Sequence, residues 1–134
     1  MMNWALIGYG GMGGWHVDKV RTLTDDFTIC GVYDIKPERS AAAVEAGLFA
    51  YPTLDALLDD PKVELVTIAT PNDTHLPLVT AALRAGKHVI CEKPVALSSA
   101  ELQVMVDTAQ ETGRRFPVHQ NRRRDEDYLT VRNI

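Results

Sequence analysis

The chain has 134 residues, of which 46% are hydrophobic and 24% are charged, and its formal net charge is −4. This length fits one domain and leaves no room for a second, and the composition is that of a globular protein with a core. The acidic balance argues against a nucleic-acid partner, because neutralising phosphates requires a basic face.

The amino-terminal segment and the cysteines indicate the compartment. Residues 1–7 contain no basic side chain, and Gly8 ends an apolar run much shorter than a signal-peptide core or a membrane span. Cys30 and Cys91 lie in apolar stretches without the spacing of a disulfide framework, so we interpret both as reduced core thiols. The sequence therefore predicts a cytoplasmic protein with no membrane partner.

Apolar runs of strand length alternate with segments of helical periodicity along the chain, a pattern typical of βαβ units around a buried parallel sheet. We predict strands at residues 4–7, 28–33, 49–51, 63–68, 88–91 and 115–119. We predict helices at residues 12–24, 37–46, 53–60, 74–85 and 98–112, with N-caps at Thr53 and Ser98 and a capping box completed by Glu101. The expected fold class is α/β, a doubly wound parallel sheet in a single domain.

Residues 8–13, GYGGMG, fit the pattern G-x-G-x-x-G between a predicted strand and a predicted helix. Gly8 permits the tight turn, Gly10 lets the backbone approach a diphosphate, and Gly13 lets the helix pack closely on the sheet. Free N–H groups and the positive helix end would then face the diphosphate. A glycine-rich turn without a ligand would give the same pattern.

Asp34 separates these two interpretations, because it follows Gly13 by 21 residues at the end of the second predicted strand. In dinucleotide-binding folds a carboxylate about 20 residues after the glycines accepts hydrogen bonds from the ribose hydroxyls. The combination predicts a dinucleotide site. A carboxylate repels a 2′-phosphate, which favours NAD, while Lys36 and Arg39 nearby leave NADP possible.

Two further segments follow predicted strands and so reach the same sheet edge. Residues 70–75, TPNDTH, suit a cofactor contact in that place, although Asn72, Asp73 and Thr74 are also ordinary N-cap residues. Lys93, in Glu-Lys-Pro at 92–94, would stand on the nicotinamide side, where an ammonium group can donate to a substrate hydroxyl or move its proton. The alternative for Lys93 is a plain surface lysine.

Four segments together resemble the glucose-fructose oxidoreductase/inositol dehydrogenase family, Gfo/Idh/MocA, and its inositol-dehydrogenase-like members in particular. They are GYGGMG at 8–13, ATPNDTH at 69–75, AGKHVICEKPVA at 85–96 and HQNRRRDEDY at 119–128, so the resemblance covers the whole chain. It implies a Rossmann domain for NAD(P) over residues 1–120, with residues 121–134 beginning the connection to a C-terminal α/β domain. It also implies hydride transfer between nicotinamide and a sugar, polyol or inositol-like hydroxyl.

The resemblance assigns roles to individual residues. Lys93 becomes the catalytic residue at the substrate carbinol. The implied cofactor-binding residues are Gly8, Gly10, Met12, Gly13, Asp34, Thr70, Asn72, His75 and Glu92, with Gln120 and Arg123 on the nicotinamide side. The family's further catalytic Asp and His come from a D-x-x-x-H segment of the second domain, which is absent here. We therefore expect this chain to be inactive alone and the full-length protein to be a homo-oligomer.

Other interpretations remain for particular features. An NAD(H)-binding sensor or scaffold would show the same glycine motif, but it would have no need of Lys93. The arginines at 114, 115 and 122–124 could indicate nucleic-acid binding, but the acidic residues at 125–127 cancel the local charge. His16, His88 and His119 show no ligand partners at metal-site spacing, so we interpret them as structural and expect no metal.

Overall fold

Alternating strands and helices build one parallel sheet in the computed structural model, which describes residues 1–23 and 25–132. The strands are β1 (Met2–Ile7), β2 (Phe27–Tyr33), β3 (Leu65–Ile68), β4 (His88–Glu92) and β5 (Val118–His119). The helices are α1 (Gly11–Leu23), α2 (Pro37–Glu45), α3 (Leu54–Leu58), α4 (His75–Arg84), α5 (Ser99–Thr112) and α6 (Glu126–Arg132). Two 3-10 turns, Asn72–Thr74 and Asn121–Arg124, complete the order. No helix within these described ranges combines the length and apolarity needed to cross a membrane.

The strand order is β2-β1-β3-β4-β5, and every pairing is parallel. Strand β1 lies between β2 and β3, and the chain runs outward from it first to β2 and then, in the opposite direction, through β3, β4 and β5. This confirms the predicted doubly wound sheet. The reversal opens a crevice at the carboxyl ends of β1 and β3, which is the ordinary ligand position in such folds.

Alternate side chains along β1 point to opposite faces of the sheet and so belong to two separate parts of the core. Trp4 and Leu6 pack with Val17 of α1 and Ala43 of α2 on one face, and the Trp4 indole donates to Thr67 Oγ1 at 2.8 Å. On the other face, a second cluster contains Ala5, Ile7, Leu57, Val79 and Met105, joining β1 to α3, α4 and α5. Each fully buried aliphatic side chain contributes roughly 1.5–3 kcal/mol. Helices packed on both faces of the sheet therefore hold its carboxyl edge in place.

The predicted helix caps are confirmed by hydrogen bonds. Thr53 accepts from the amide of Ala56 at 3.0 Å, and Ser98 accepts from the amide of Glu101 at 3.2 Å. Glu101 reaches back to the amide of Leu97 at 2.9 Å, one residue before the cap itself.

Two predicted strands are wrong in extent. Residues 49–51 make a single parallel bridge, between Val32 and Ala50, because Pro52 has no N–H with which to continue a ladder. The strand predicted at 115–119 is shorter than expected, since only Val118–His119, after Pro117, forms β5. Helix α6 was not predicted, since its sequence is polar and leaves Val131 72% exposed.

Two glycines hold the first loop against its neighbours. Gly8 has φ +95°, and a Cβ there would lie 2.6 Å from the carbonyl oxygen of Ala69 in the loop after β3. A Cβ on Gly13 would lie 2.0 Å from the carbonyl oxygen of Gly8. Helix α1 can therefore rest on the loop only because both positions lack a side chain.

We predict that Gly13→Ala lowers the free energy of unfolding by at least about 2 kcal/mol, because the methyl group forces α1 away from the loop. Gly14→Ala is the matched control, since a Cβ there meets no described atom within 4 Å. We expect Gly14→Ala to raise the free energy of unfolding by up to about 1 kcal/mol, because alanine has the higher helix propensity. Urea unfolding followed by circular dichroism measures both, and equal midpoints for the two variants would contradict the packing argument.

Candidate functional site

The loop between β1 and α1 presents backbone N–H groups at the carboxyl edge of the sheet. Gly8 donates its N–H to the Tyr33 carbonyl at 2.8 Å, and the first helical bond runs from Gly14 to Gly10 at 2.8 Å. The N–H groups of the intervening first turn have no partner inside the helix. Together with the positive end of α1, they form a place for a diphosphate.

Asp34 stands at the end of β2 with its side chain only 3% exposed. Its Oδ2 accepts from the Tyr9 amide at 2.8 Å, and its Oδ1 accepts from the Lys36 amide at 2.9 Å. The Arg39 guanidinium lies 3.4 Å from Oδ2. The carboxylate therefore fixes the glycine-rich loop to β2 in addition to facing the crevice.

A cavity of about 370 Å³ lies beside Asp34, between the ends of β1 and β2 and the loop after β3. Its volume is in the range of ordinary small-molecule sites. Its lining combines apolar side chains with the carboxylate of Asp34 and the basic side chains of Lys36 and Arg39, and it includes Gly8, Tyr33, Ile35, Thr70, Pro71, Pro77 and Leu78. This mixture suits a ligand that has both an apolar ring and polar groups.

His75 joins the loop after β3 to the segment after Lys93. Its Nε2 lies 3.0 Å from the Thr70 carbonyl, and its Nδ1 lies 3.1 Å from the Pro94 carbonyl. All these partners are acceptors, and a neutral ring can donate on only one side at a time. The ring is fully buried, so the structure places His75 behind the wall of the site, where it positions Thr70.

Lys93 follows β4 and is exposed. Its amide donates to Oε2 of Glu92 at 3.2 Å, and the Lys93–Pro94 peptide bond is cis. Its ammonium group forms no ion pair within residues 1–23 and 25–132. Lys93 is therefore free to meet a group that approaches the β4 side of the crevice.

The Glu92 carboxylate points under α1. Its Oε1 lies 2.6 Å from His16 Nε2 and 2.9 Å from His119 Nδ1, and Glu92 is only 5% exposed. Burial raises the pKa of Glu92, but the hydrogen bond from His16 and the proximity of His119 outweigh it and hold the pKa below the usual value. Burial lowers the pKa of His16, which the contact with Glu92 opposes only in part.

This cluster of His16, Glu92 and His119 was missed by the sequence analysis, which treated both histidines as lacking partners. His16 is 76 residues from Glu92, and His119 is 27 residues from it. They meet because β4 and β5 are neighbours and α1 packs over the sheet. No local spacing in the sequence carries that information.

The other predicted residues lie along the same edge. Met12 is 43% exposed on the first turn of α1, and Asn72 is half-buried where its 3-10 turn begins. Gln120 and Arg123 are exposed just after β5 and joined by a backbone hydrogen bond of 3.3 Å. The structure thus brings Gly8, Asp34 and Thr70 into one cavity, while Lys93, Gln120 and Arg123 belong to the β4–β5 side.

The fold, the glycine-rich loop and the carboxylate after β2 define a dinucleotide-binding domain. The sequence matches the profile of the oxidoreductase family Gfo/Idh/MocA, NAD-binding Rossmann fold, over residues 2–120. The chain belongs to this family, which confirms the resemblance, and it is an NAD-binding Rossmann domain.

Individual relatives agree with this assignment. Inositol 2-dehydrogenase of Salmonella typhimurium is 31% identical over 96% of this chain and 40% of its own length. A solved NAD-binding protein from Listeria innocua has 45% identity and a TM-score of 0.93, over 98% of this chain and 39% of its own. The WlbA dehydrogenase of Chromobacterium violaceum, solved with NADH and UDP-GlcNAcA, has 26% identity and a TM-score of 0.92 over 98% of this chain and 39% of its own. This chain spans 22% to 40% of the length of the first curated relatives.

We predict that His75→Ala lowers the free energy of unfolding by about 2–4 kcal/mol, because it leaves a cavity in place of a fully buried ring and removes the hydrogen bonds to the Thr70 and Pro94 carbonyls. His88→Ala is the control, since His88 is only half-buried and accepts one hydrogen bond, from the Arg115 amide at 3.0 Å. Its expected cost is about 1 kcal/mol. Urea unfolding measures both, and a larger loss for His88→Ala would refute the role given to His75.

Proposed function

We propose that this chain is the cofactor-binding part of an NAD-dependent oxidoreductase that transfers hydride between nicotinamide and a sugar, polyol or inositol-like hydroxyl. The observation that carries the proposal is the position of Lys93, exposed at the end of β4 on the same sheet edge as the glycine-rich loop. A domain that only bound the dinucleotide would not need an ammonium group there. Related proteins named as inositol 2-dehydrogenase and UDP-N-acetylglucosamine 3-dehydrogenase support this substrate class.

The residues present fit the dinucleotide, because the loop before α1 and the first turn of α1 have no Cβ at Gly8, Gly10 or Gly13, and the Asp34 carboxylate accepts a hydrogen bond from the Tyr9 amide of that loop. We assign cofactor binding to Gly8, Gly10, Met12, Gly13, Asp34, Thr70, Asn72, Gln120 and Arg123. His75 and Glu92 are buried, so their part in the site is to hold Thr70 and the Lys93 backbone. The adenine ring would lie against apolar lining residues of the cavity such as Ile35 and Leu78, and the ribose hydroxyls would donate to Asp34.

The bound nicotinamide supplies the hydride acceptor or donor. Lys93 acts on the hydroxyl oxygen of the substrate, by donating a hydrogen bond to it or by taking its proton as the carbinol carbon is oxidised. The chain offers no partner for Lys93 from a D-x-x-x-H segment. Turnover therefore requires the rest of a family-length protein, which we expect to be cytoplasmic and homo-oligomeric.

Asp34 and Arg39 bear on the choice between NAD and NADP. The Asp34 carboxylate favours the unphosphorylated ribose of NAD. Arg39 lies over the loop, 3.3 Å from the place of a Cβ on Gly10, and its side chain is 40% exposed. A guanidinium in that place can pair with a 2′-phosphate, so we propose that NADP is accepted with lower affinity.

Calorimetric titration of this chain with NADH and NADPH tests the cofactor site. We expect tighter binding of NADH, weakened at least about 10-fold by Asp34→Ala, because one charge-assisted contact is worth about 1.5–3 kcal/mol. Arg39→Ala should weaken the binding of NADPH by about 10-fold and change the affinity for NADH by no more than about 3-fold.

Asp34→Ala also removes the acceptor for two backbone amides, so this variant could lose stability as well as affinity. Its urea unfolding midpoint is therefore measured beside its affinity for NADH. Arg39→Ala keeps both of those bonds and is the matched control. Failure of the folded wild-type chain to bind either cofactor would refute the site, and equal affinities would refute the preference.

Lys93→Ala tests the catalytic role. This chain should bind NADH equally well with and without the substitution, because Lys93 is placed at the substrate. In a family-length protein carrying the chain, kcat for oxidation of a polyol or sugar should fall by about 100-fold or more, as for loss of a general acid or base. Absorbance of NADH measures turnover. An unchanged kcat would favour the sensor or scaffold interpretation instead.

A further inference from the structure

The cluster of His16, Glu92 and His119 brings three potential ligand atoms together from three separate elements. His16 Nε2, Glu92 Oε1 and His119 Nδ1 all lie within 4.8 Å of one another. His16 comes from α1, Glu92 from the end of β4 and His119 from the end of β5. Because each element is fixed by the sheet or packed on it, the fold holds the three atoms in position.

We propose that this cluster is a binding site for a divalent transition metal, with Zn²⁺ as the ion that its donor set fits best. Two imidazole nitrogens and one carboxylate oxygen form a common three-ligand set for zinc. Imidazole suits zinc, copper, iron and nickel, whereas magnesium and calcium prefer oxygen ligands only. The inference does not depend on the proposed function, since it rests on these three side chains alone.

The surroundings of the cluster supply what such a site needs beyond its ligands. The second carboxylate oxygen of Glu92 accepts from the Lys93 amide at 3.2 Å, which fixes the orientation of the carboxylate. A cavity of about 110 Å³ adjoins the two imidazole rings, and its lining is mostly apolar, with Thr67 as a further polar residue. The His119 side chain is 24% exposed, so an ion can reach the site from solvent.

The metal-free arrangement is close to the geometry required. Without an ion, His16 Nε2–H and His119 Nδ1–H each donate to Glu92 Oε1, at 2.6 and 2.9 Å. Ligand atoms bound at about 2.0–2.2 Å to a tetrahedral zinc lie about 3.3 Å apart. For the ion to enter, both nitrogens must move about 0.4–0.7 Å away from the carboxylate oxygen, and the two nitrogens, which lie within 4.8 Å of each other, must come to about 3.3 Å. Each ring then carries its proton on its other nitrogen.

An ion here would join the diphosphate-binding helix to the two strand ends on the substrate side. His16 lies two residues after Gly14 on α1, and Glu92 directly precedes Lys93. The metal would thus fix the Lys93 backbone relative to α1. We assign it this positioning role and no step of the chemistry.

The experiment uses the full chain, stripped with a chelator and titrated calorimetrically with ZnCl₂. We expect one Zn²⁺ per chain, and at least about 10-fold weaker binding for His119→Ala, since even the loss of a group that only orients a ligand costs 10- to 100-fold. His88→Gln is the matched control, because it removes a histidine outside the cluster and should leave the affinity unchanged. Co²⁺ in place of Zn²⁺ should give the visible absorption of tetrahedral cobalt in the wild type and in His88→Gln, but not in His119→Ala.

The unfolding temperature gives an independent readout. Zn²⁺ should raise it for the wild type and not for His119→Ala or His16→Gln, because only a folded site binds the ion. His119 is partly exposed, so this variant tests the site even where substitution of a more buried ligand prevents folding. The proposal is overturned if the wild type binds no Zn²⁺, or if His119→Ala binds Zn²⁺ as tightly as the wild type.

Discussion

The close backbone contact at Gly8 and Gly13 is the constraint on which the rest of the site depends. A Cβ at either position would overlap a carbonyl oxygen, that of Ala69 for Gly8 and that of Gly8 for Gly13. The absence of a Cβ at Gly8 lets the loop after β1 touch the loop after β3, and its absence at Gly13 lets α1 rest directly on the loop after β1. The free N–H groups of α1 then face the crevice where the strand order reverses.

Helix α1 connects the two halves of the carboxyl edge. Its first turn follows the loop whose Gly8 lines the cavity beside Asp34, and His16, further along, reaches Glu92 and through it the Lys93 amide. On the opposite face of the sheet, His75 joins Thr70 to Pro94 in the same way. Lys93 is therefore held from both sides by buried polar groups, while its own side chain remains exposed.

Local patterns were enough to predict the parallel sheet, the helix caps and the fingerprint of Gly8, Gly13 and Asp34, because each depends on spacing within a few turns or within one βαβ unit. The cluster around Glu92 could not be predicted, since its hydrogen bonds join residues 27 and 76 positions apart through the packing of α1 and the pairing of β4 with β5. The burial of His75 was missed for a similar reason. Its carbonyl partners lie on two loops that were expected at the same sheet edge, but no local spacing places the His75 ring between them.

Asp34 links the fold to the choice of cofactor through the number of bonds its carboxylate can accept. Two oxygens offer about four lone-pair positions, and the amides of Tyr9 and Lys36 use one on each oxygen. The two that remain match the two hydroxyls of an NAD ribose, but the Arg39 guanidinium lies 3.4 Å from Oδ2 and competes for the position left on that oxygen. Because Arg39 is partly exposed and pairs only weakly at that distance, it can swing away without disturbing either backbone bond. In the ribose site that we propose, the carboxylate is thus the fixed part and Arg39 is the movable part.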